Sequence, residues 1–408
     1  MMNAALDFGT LPEISFTALR PWLRQMLEQL SRRWTTGRLE LTIADAGRIR
    51  VQGKHPGPSA VLHLHQPALL RRLAFEGAIG FADAYIAGQW DSPDLSGLLE
   101  AFAHNLAGTR FAHGAAALRL WGVFQHWRHR NSLSGARANI HAHYDLGNDF
   151  YSHWLDSSMT YSAAIFETPS TSLAAAQRQK YIALAERIRL LRGHHVLEIG
   201  CGWGGFAEFA AREIGARVTA VTLSQEQYAF VAERMQRSGL NEKVNVALMD
   251  YRDITGHYDR VVSIEMIEAV GERYWPTYFR KLADVLTPGG VAGIQSITIQ
   301  NAHFAQYRKR PDFIQRYIFP GGMLPCEKRL AEEAASAGLA WNSIFRFGEH
   351  YARTLEIWAE NFSASWNEIA KIGFDERFRR MWHYYLAYCE AGFRSGQIDV
   401  IQLALQKI

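Results

Sequence analysis

Strand-like and helix-like segments alternate regularly between residues 195 and 298, and this alternation constrains the fold more than any other feature of the sequence. Short apolar runs with β-branched residues predict strands, and the amphipathic segments between them predict helices. The predicted strands are 195–199, 217–223, 244–249, 258–264 and 290–298, and the predicted helices are 206–214, 226–238 and 274–286. Repeated βα units predict an α/β, Rossmann-like domain with a mostly parallel, doubly wound sheet, in which ligands bind at the carboxyl ends of the strands.

The N-terminal part of the chain has a different pattern. It predicts a helix at 16–33, short strands at 39–43, 49–51 and 61–65, and a second helix at 67–75. A chain of 408 residues is too long for one ordinary hydrophobic core. We therefore expect a smaller N-terminal α+β domain at 1–110, a linker at 111–140 and the α/β domain at 141–408.

The predicted linker is basic and aromatic. No acidic residue occurs between 101 and 143, a stretch in which Trp121, Phe124 and Trp127 are interleaved with the arginines Arg110, Arg119, Arg128, Arg130 and Arg137. Arginine combined with tryptophan suits an anionic lipid surface, but a solvated basic face has the same composition. The sequence lacks the clustered Lys/Arg arrays and motifs of nucleic-acid-binding proteins, so we expect no nucleic acid partner.

Composition also bears on location and on metal binding. No apolar run reaches the roughly 18 residues that span a bilayer, and the first residues do not resemble a signal peptide. Cys201, Cys326 and Cys389 form no CxxC pair, which argues against a disulfide framework and against a structural zinc site. We therefore expect a cytoplasmic protein without a metal.

The first predicted strand of the α/β domain ends in a glycine-rich run. The string Glu198-x-Gly200-x-Gly202 is followed by Gly204 and Gly205. Glycines allow a sharp turn and a close approach of the backbone to a ligand, but a GxG turn occurs in NAD, FAD and S-adenosylmethionine (SAM) sites alike. The acid two residues before the first glycine and the displaced last glycine favour SAM.

Polar groups follow the next two strands. The second strand ends in Thr222 and Leu223, without the acid that usually binds the ribose hydroxyls. We expect Thr222 and Gln227 to supply those hydrogen bonds instead. Ser224 also suits the N-cap of the following helix. Asp250 follows the third strand, where its carboxylate suits an adenine amine.

Several separate strings make the sequence recognisable beyond the cofactor loop. They are 140–151 (IHAHYDLGNDFY), 154–156 (WLD), 159–162 (MTYS), 197–205 (LEIGCGWGG), 222–227 (TLSQEQ), 250–253 (DYRD) and 317–322 (YIFPGG). On these strings the chain resembles the cyclopropane-fatty-acyl-phospholipid synthases and the mycolic acid cyclopropane synthases, and its first domain resembles the N-terminal domain of the longer bacterial synthases through residues 77–90.

The resemblance implies a reaction and its setting. The cis double bond of an acyl chain, esterified in a membrane phospholipid, attacks the methyl group of SAM, and a bound bicarbonate removes a proton as the carbocation closes to a cyclopropane. It further implies a lipid-handling first domain and peripheral binding to the inner face of the membrane, and it leaves homodimerisation open.

The resemblance also assigns residues. It implies a glutamate, Glu268, facing the methyl group beside the bicarbonate, with Tyr351 as a second partner, Gln295 at the position of a histidine, and Cys389 as a further catalytic candidate. It implies cofactor contacts from Tyr161, Ser162, Glu198, Gly200, Gly202, Trp203, Gly204, Thr222, Leu223, Ser224, Gln227, Asp250 and Tyr251.

Three positions depart from the family pattern. Ala163 replaces a cysteine, Gln295 replaces the histidine and Ala269 replaces another histidine. A glutamine can donate a hydrogen bond to an anion but cannot carry charge. Methyl transfer is expected to survive, with a cyclopropane as the default product. A methyl-branched or methylene product without ring closure is the alternative, and a catalytically degenerate lipid-binding protein is an alternative of another class.

Overall fold

The computed structural model describes residues 21–43, 47–66, 69–106, 146–309 and 311–408. The predicted linker at 111–140 and all five of its arginines lie outside these residues, so its role stays a prediction. The described residues form two compact units. The first combines 21–106 with Gly373–Gln397, and the second contains 146–372 and Ile398–Ile408.

The elements of the first part are α1 (Pro21–Arg33), β1 (Thr36–Ile43), β2 (Gly47–Gln52), β3 (His55–Leu64), α2 (Leu69–Ile86), β4 (Trp90–Asp91) and α3 (Leu95–Leu106). The next are α4 (Asn148–Ser152), α5 (Leu173–Arg187), β5 (His195–Ile199), α6 (Gly205–Phe209), β6 (Arg217–Thr222), α7 (Gln225–Arg237), β7 (Val244–Leu248), β8 (Tyr258–Ile264), α8 (Ile267–Val270), α9 (Trp275–Val285) and β9 (Leu286–Ile299). The last are α10 (Asn301–Tyr307), α11 (Phe313–Tyr317), α12 (Glu327–Ser336), β10 (Leu339–Arg346), α13 (Gly348–Ala364), α14 (Trp366–Lys371), α15 (Glu376–Arg394) and β11 (Ile398–Lys407).

The first unit is built on a four-stranded sheet in the order β2-β1-β3-β4. Trp90 is fully buried and stacks on Phe81, with their ring centroids 4.0 Å apart. Helix α15 packs on α2 and α3. Its Arg380 donates hydrogen bonds to the backbone oxygens of Tyr85 and Trp90 and to the carboxylate of Asp91. This grouping differs from the predicted uninterrupted domain at 141–408, because residues far apart in sequence pack together here.

The second unit contains a seven-stranded sheet in the order β10-β11-β9-β8-β5-β6-β7. Five adjacent strands, in the order β9-β8-β5-β6-β7, are parallel to one another. Strand β11 is antiparallel to both of its neighbours, β9 and β10. The predicted strands and helices between 195 and 298 are confirmed within a few residues at their ends, and the α/β, Rossmann-like fold class is confirmed. The chain order reverses at β5, which lies between β8 and β6, and such a reversal opens a crevice at the carboxyl ends of the strands.

The strands at this reversal are buried on both faces, as expected of a parallel sheet covered by helices. Val196, Leu197 and Ile199 of β5 are at most 2% exposed. The rigid core beneath the strand ends therefore fixes the position of the loops that follow them. No described helix combines the length and apolar character needed to cross a membrane.

Candidate active site

The glycine-rich loop leaves β5 and enters α6. Gly200, Gly202 and Gly204 have φ values of +82°, +51° and +82°, a region that side chains with a Cβ rarely adopt. The backbone N–H groups of Gly200 and Cys201 both donate to the carbonyl of Val221, at 2.9 and 3.0 Å. The loop is thereby tied to the end of β6, and its shape depends on the glycines.

A cavity opens beside this loop at the carboxyl ends of β5, β6 and β8. The predicted cofactor residues that line it are Tyr161, Ser162, Glu198, Gly200, Gly202, Trp203, Thr222, Leu223, Gln227, Asp250 and Tyr251. Gly204 and Ser224 do not belong to this lining. A Cβ on Gly204 would lie 2.8 Å from Val231, so this glycine serves helix packing. Ser224 caps α7, since its hydroxyl accepts from the backbone N–H of Gln227.

The polar groups at the ends of β6 and β7 are held by their neighbours. Thr222 donates from its hydroxyl to Oε1 of Gln227 at 2.8 Å. Arg252 donates to both carboxylate oxygens of Asp250, at 2.8 and 2.6 Å. The bidentate pair orients Asp250, and a carboxylate has lone pairs left for a further donor such as an adenine amine.

Two oppositely charged side chains in the cavity each have a buried atom without a hydrogen-bond partner among the described residues. They are Glu198, through Oε2, and Lys180, through Nζ. Burial raises the pKa of Glu198 to about 8, and burial lowers the pKa of Lys180 to about 8. Buried polar atoms are normally paired. These two atoms and the glycine loop fit a cofactor that carries an α-amino acid group, as SAM does.

Glu265 lies at the carboxyl end of β8 and lines the cavity. Its Oε1 accepts hydrogen bonds from the hydroxyl of Ser162 at 2.6 Å, from the backbone N–H of Ala163 at 3.0 Å and from Nε2 of Gln295 at 2.7 Å. Its Oε2 accepts from the hydroxyl of Tyr351 at 2.6 Å. The backbone of Glu265 has a φ of +50°, an unfavourable conformation for a residue with a Cβ, which places the carboxylate among these four donors.

A second glutamine fixes the orientation of Gln295. Gln402 on β11 pairs with Gln295 on β9, and both are fully buried. Nε2 of Gln402 donates to Oε1 of Gln295 and to the backbone carbonyl of Lys180, each at 3.1 Å. Since Oε1 of Gln295 accepts this bond, its Nε2 is the atom that faces Glu265 and the hydroxyl of Ser162.

Glu268 occupies a different place from the one that the sequence predicts. It does not belong to the cavity lining, whereas Glu265 does. Its Oε1 accepts from the hydroxyl of Ser296 and from the backbone N–H of Ile297, and its buried Oε2 has no partner among the described residues. Burial, reinforced by the nearby charge of Glu265, raises the pKa of Glu268 to about 8. A catalytic role for Glu268 stays a prediction.

Cys389 is half-buried on α15 and is not part of the cavity lining. Its proposed direct role also stays a prediction.

Aromatic rings surround the Tyr161 side of the cavity. The centroid of the Tyr161 ring lies 5.4 Å from that of Tyr151, 5.5 Å from Trp154 and 5.3 Å from Trp358. Trp203, which also lines the cavity, lies 4.9 Å from Tyr151. Aromatic faces attract cations and exclude water, so this wall suits a reaction that passes through a positive charge on an apolar substrate.

Known proteins share both the sequence and this architecture. The profile described as "Mycolic acid cyclopropane synthetase" matches residues 131–403. The chain belongs to this family. The chain is 42% identical over 355 residues to "Tuberculostearic acid methyltransferase UfaA1" of Mycobacterium tuberculosis, over 84% of this chain and 82% of that one. It is 33% identical over 368 residues to "Cyclopropane-fatty-acyl-phospholipid synthase" of Escherichia coli K12, over 88% of this chain and 90% of that one.

The structural comparison agrees with the sequence comparison. Mycolic acid cyclopropane synthase CmaA1, solved with SAH and CTAB, superimposes with a TM-score of 0.62 at 31% identity, over 66% of this chain and 98% of that one. This member of the cyclopropane synthase family is therefore a SAM-dependent methyltransferase. The predicted family, enzyme class and SAM dependence are confirmed, and the product is not settled by these comparisons.

Sequence reasoning missed three residues of the site. Glu265 precedes Glu268 by three residues in the string EMIE, and both acids follow the same strand, so the pattern offered two candidates. Lys180 falls on the buried face of α5, in register with Gln177, Tyr181 and Leu184, and a lysine at such a position is a signal for a functional charge. Gln402 gave no comparable signal, because its contact depends on the pairing of β11 with β9.

Proposed function

We propose that this chain transfers the methyl group of SAM to the cis double bond of unsaturated fatty acyl chains of membrane phospholipids, and that Glu265 accepts the proton that the acyl carbocation loses. The observation that carries the proposal is the set of four hydrogen bonds that hold the Glu265 carboxylate in the cavity. A base supplied by the chain itself makes a bound bicarbonate unnecessary.

The donors of this set support the assignment. The family resemblance places the bicarbonate among residue 163, residue 295 and Tyr351. In this chain Ala163, Gln295 and Tyr351 all donate to Glu265. A carboxylate and a bicarbonate present the same planar pair of oxygens to such donors. The Glu265 carboxylate therefore matches the bicarbonate in shape, charge and hydrogen-bond partners, but it is a side chain of the protein.

Each wall of the cavity has a function in this scheme. When bound, SAM supplies an electrophilic methyl group, and its transfer to an alkene leaves a carbocation on the acyl chain. Tyr161 and Trp203 present aromatic faces that stabilise the cation and keep water away. Glu265 takes one proton, and the electron pair of the broken C–H bond closes the electron-deficient centre either as a double bond or as a ring.

We further propose a methyl-branched or methylene chain as the product, rather than a ring. Three positions around the base differ from the cyclopropane synthase pattern: Ala163, Gln295 and Ala269. The relative with 42% identity carries the name of a methyltransferase, whereas the relative with 33% identity carries that of a cyclopropane synthase. A cyclopropane is the second candidate, favoured by the description of the matching family.

The decisive experiment is product analysis with a SAM whose transferred methyl group carries three deuterons. The purified enzyme is incubated with vesicles of an unsaturated phospholipid, and the acyl chains are analysed by mass spectrometry and proton NMR. A chain that keeps three deuterons has lost its proton from a chain carbon. A chain that keeps two, and shows both as alkene deuterons in a deuterium NMR spectrum, is a methylene product; either supports the proposal. A saturated three-membered ring contradicts the proposed product but leaves methyl transfer intact. No incorporated methyl group contradicts the function itself.

A further inference from the structure

Lys180 is a buried cation beside the cofactor loop. It lies in the middle of α5, where Gln177, Tyr181 and Leu184 form the buried face of the helix. Its side chain is fully buried and lines the same cavity as Glu198 and the glycines. A lysine is rarely found at such a position unless its charge has a partner.

No described residue supplies that partner through a hydrogen bond. The Nζ atom of Lys180 has no hydrogen-bond acceptor within the described part of the chain, and it lies over the Tyr181 ring, 4.6 Å from the ring centroid. The acids that favour its charged form, Glu265, Asp156 and Glu198, act only through space. Burying an ammonium group without an acceptor is strongly unfavourable, so a ligand with a negative group would offset the desolvation free energy of this charge.

Glu198 is the matching group of opposite sign. The residue is 3% exposed. The backbone N–H of Ala207 donates to its carboxylate, but Oε2 has no donor among the described residues. Glu198 and Lys180 perturb each other's pKa, yet they form no hydrogen bond. A carboxyl oxygen without a donor and an amine nitrogen without an acceptor, in a single cavity, are complementary to a zwitterion. The amino and carboxylate groups of the methionine part of SAM form such a zwitterion.

We propose that Lys180 binds the carboxylate of the methionine part of SAM, while Glu198 faces its amino group. Lys180 is then a cofactor-binding residue that orients the methionine part of SAM from the side of α5. The inference concerns only the cofactor, so it does not depend on the acyl substrate or on the role of Glu265.

The test compares SAM with its decarboxylated analogue, which lacks only the carboxylate. Affinities of both are measured by calorimetry at neutral pH, without lipid, for the wild type, Lys180→Met and the control Lys243→Met. Lys243 is exposed on the surface, so its variant removes the same charge from outside the cavity. We expect the wild type to prefer SAM by at least about tenfold, the usual magnitude for a charge-assisted hydrogen bond.

Lys180→Met should weaken the binding of SAM but not that of the decarboxylated analogue, so that the two affinities come within about threefold of each other. Lys243→Met should behave as the wild type does. A wild type that binds both compounds equally overturns the proposal even if no variant folds. A Lys180→Met protein that loses affinity for both compounds by the same factor also overturns it, because the lysine would then support the fold or Glu265 rather than the carboxylate. Lys180→Gln provides a second uncharged variant that keeps hydrogen-bonding capacity.

Discussion

Replacing Glu265 by glycine should convert the enzyme into one that depends on added bicarbonate. The substitution removes the proposed base but suits the backbone, because φ at this position is +50° and glycine avoids a cost of about 1 kcal/mol there. The four donors from Ser162, Ala163, Gln295 and Tyr351 would remain around the space that the carboxylate leaves. That space then has the size and the hydrogen-bonding character to hold a planar oxyanion.

The expected magnitude follows from the loss of a positioned base. General base catalysis contributes roughly 10² to 10⁴ in rate, so kcat of Glu265→Gly without bicarbonate should fall at least about 100-fold, or about 2.7 kcal/mol of barrier. Saturating bicarbonate should restore at least about tenfold of this loss. SAM affinity should change by less than about threefold, since Lys180 and Glu198 remain.

The assay measures transfer of a labelled methyl group to phospholipid vesicles in carbonate-free buffer, with bicarbonate titrated in. Glu265→Gln is the matched control, because its amide fills the same space without a charge and should not respond to bicarbonate. Glu265 is not the base if Glu265→Gly keeps activity within about threefold of the wild type, or if bicarbonate stimulates both variants equally.

Three other outcomes follow from the same geometry. Gln402→Leu frees the amide of Gln295 to rotate and should lower kcat about tenfold with unchanged SAM affinity. Gln406 is exposed, so the control Gln406→Leu should leave kcat unchanged. Equal kcat values for the two variants would contradict the orienting role of Gln402. Burial raises the pKa of Glu268 from 4.5 to about 8, so between these pH values the folded state holds a proton that the unfolded state releases. The free energy of unfolding should therefore fall as pH rises from about 4.5 to 8. Glu268→Gln should show a smaller fall over that range in urea titrations. Gly202→Val should weaken SAM binding at least about tenfold by calorimetry while the protein still folds. The φ of Gly202 is +51°, and a Cβ there has no protein atom within 4 Å and would enter the space expected to hold the cofactor. Unchanged affinity would contradict the site assignment.

The sequence was informative where a local pattern determines local structure. The strand at 195–199 and the glycines after it combine a hydrophobic run with residues that permit positive φ, and the order of the parallel strands follows from the repeated βα connections. The choice between Glu265 and Glu268 could not be made in this way. It depends on one positive φ value and on donors from residues 162, 163, 295 and 351, which meet only through tertiary structure.

The same limit applies to the end of the sheet and to the first unit. The run at 398–407 is apolar enough for a strand, but its antiparallel pairing between β9 and β10 is a long-range choice. Arg380 contacts residues at 85–91 across almost three hundred positions, so no periodicity near α15 could assign it to the first unit.

The insertion of β11 between β9 and β10 has a consequence for synthesis of the protein. β9 and β10 are complete at residues 299 and 346, but the strand that joins them begins only at Ile398. A nascent chain must therefore carry two apolar strand edges without a partner until the ribosome has added β11, and such edges are sites of misassembly between chains. Because Gln402 lies on that late strand, the orientation of Gln295 toward Glu265 is established only at the final closure of the sheet. Partly synthesised or C-terminally cleaved chains would thus contain the cofactor loop without an ordered Glu265 carboxylate.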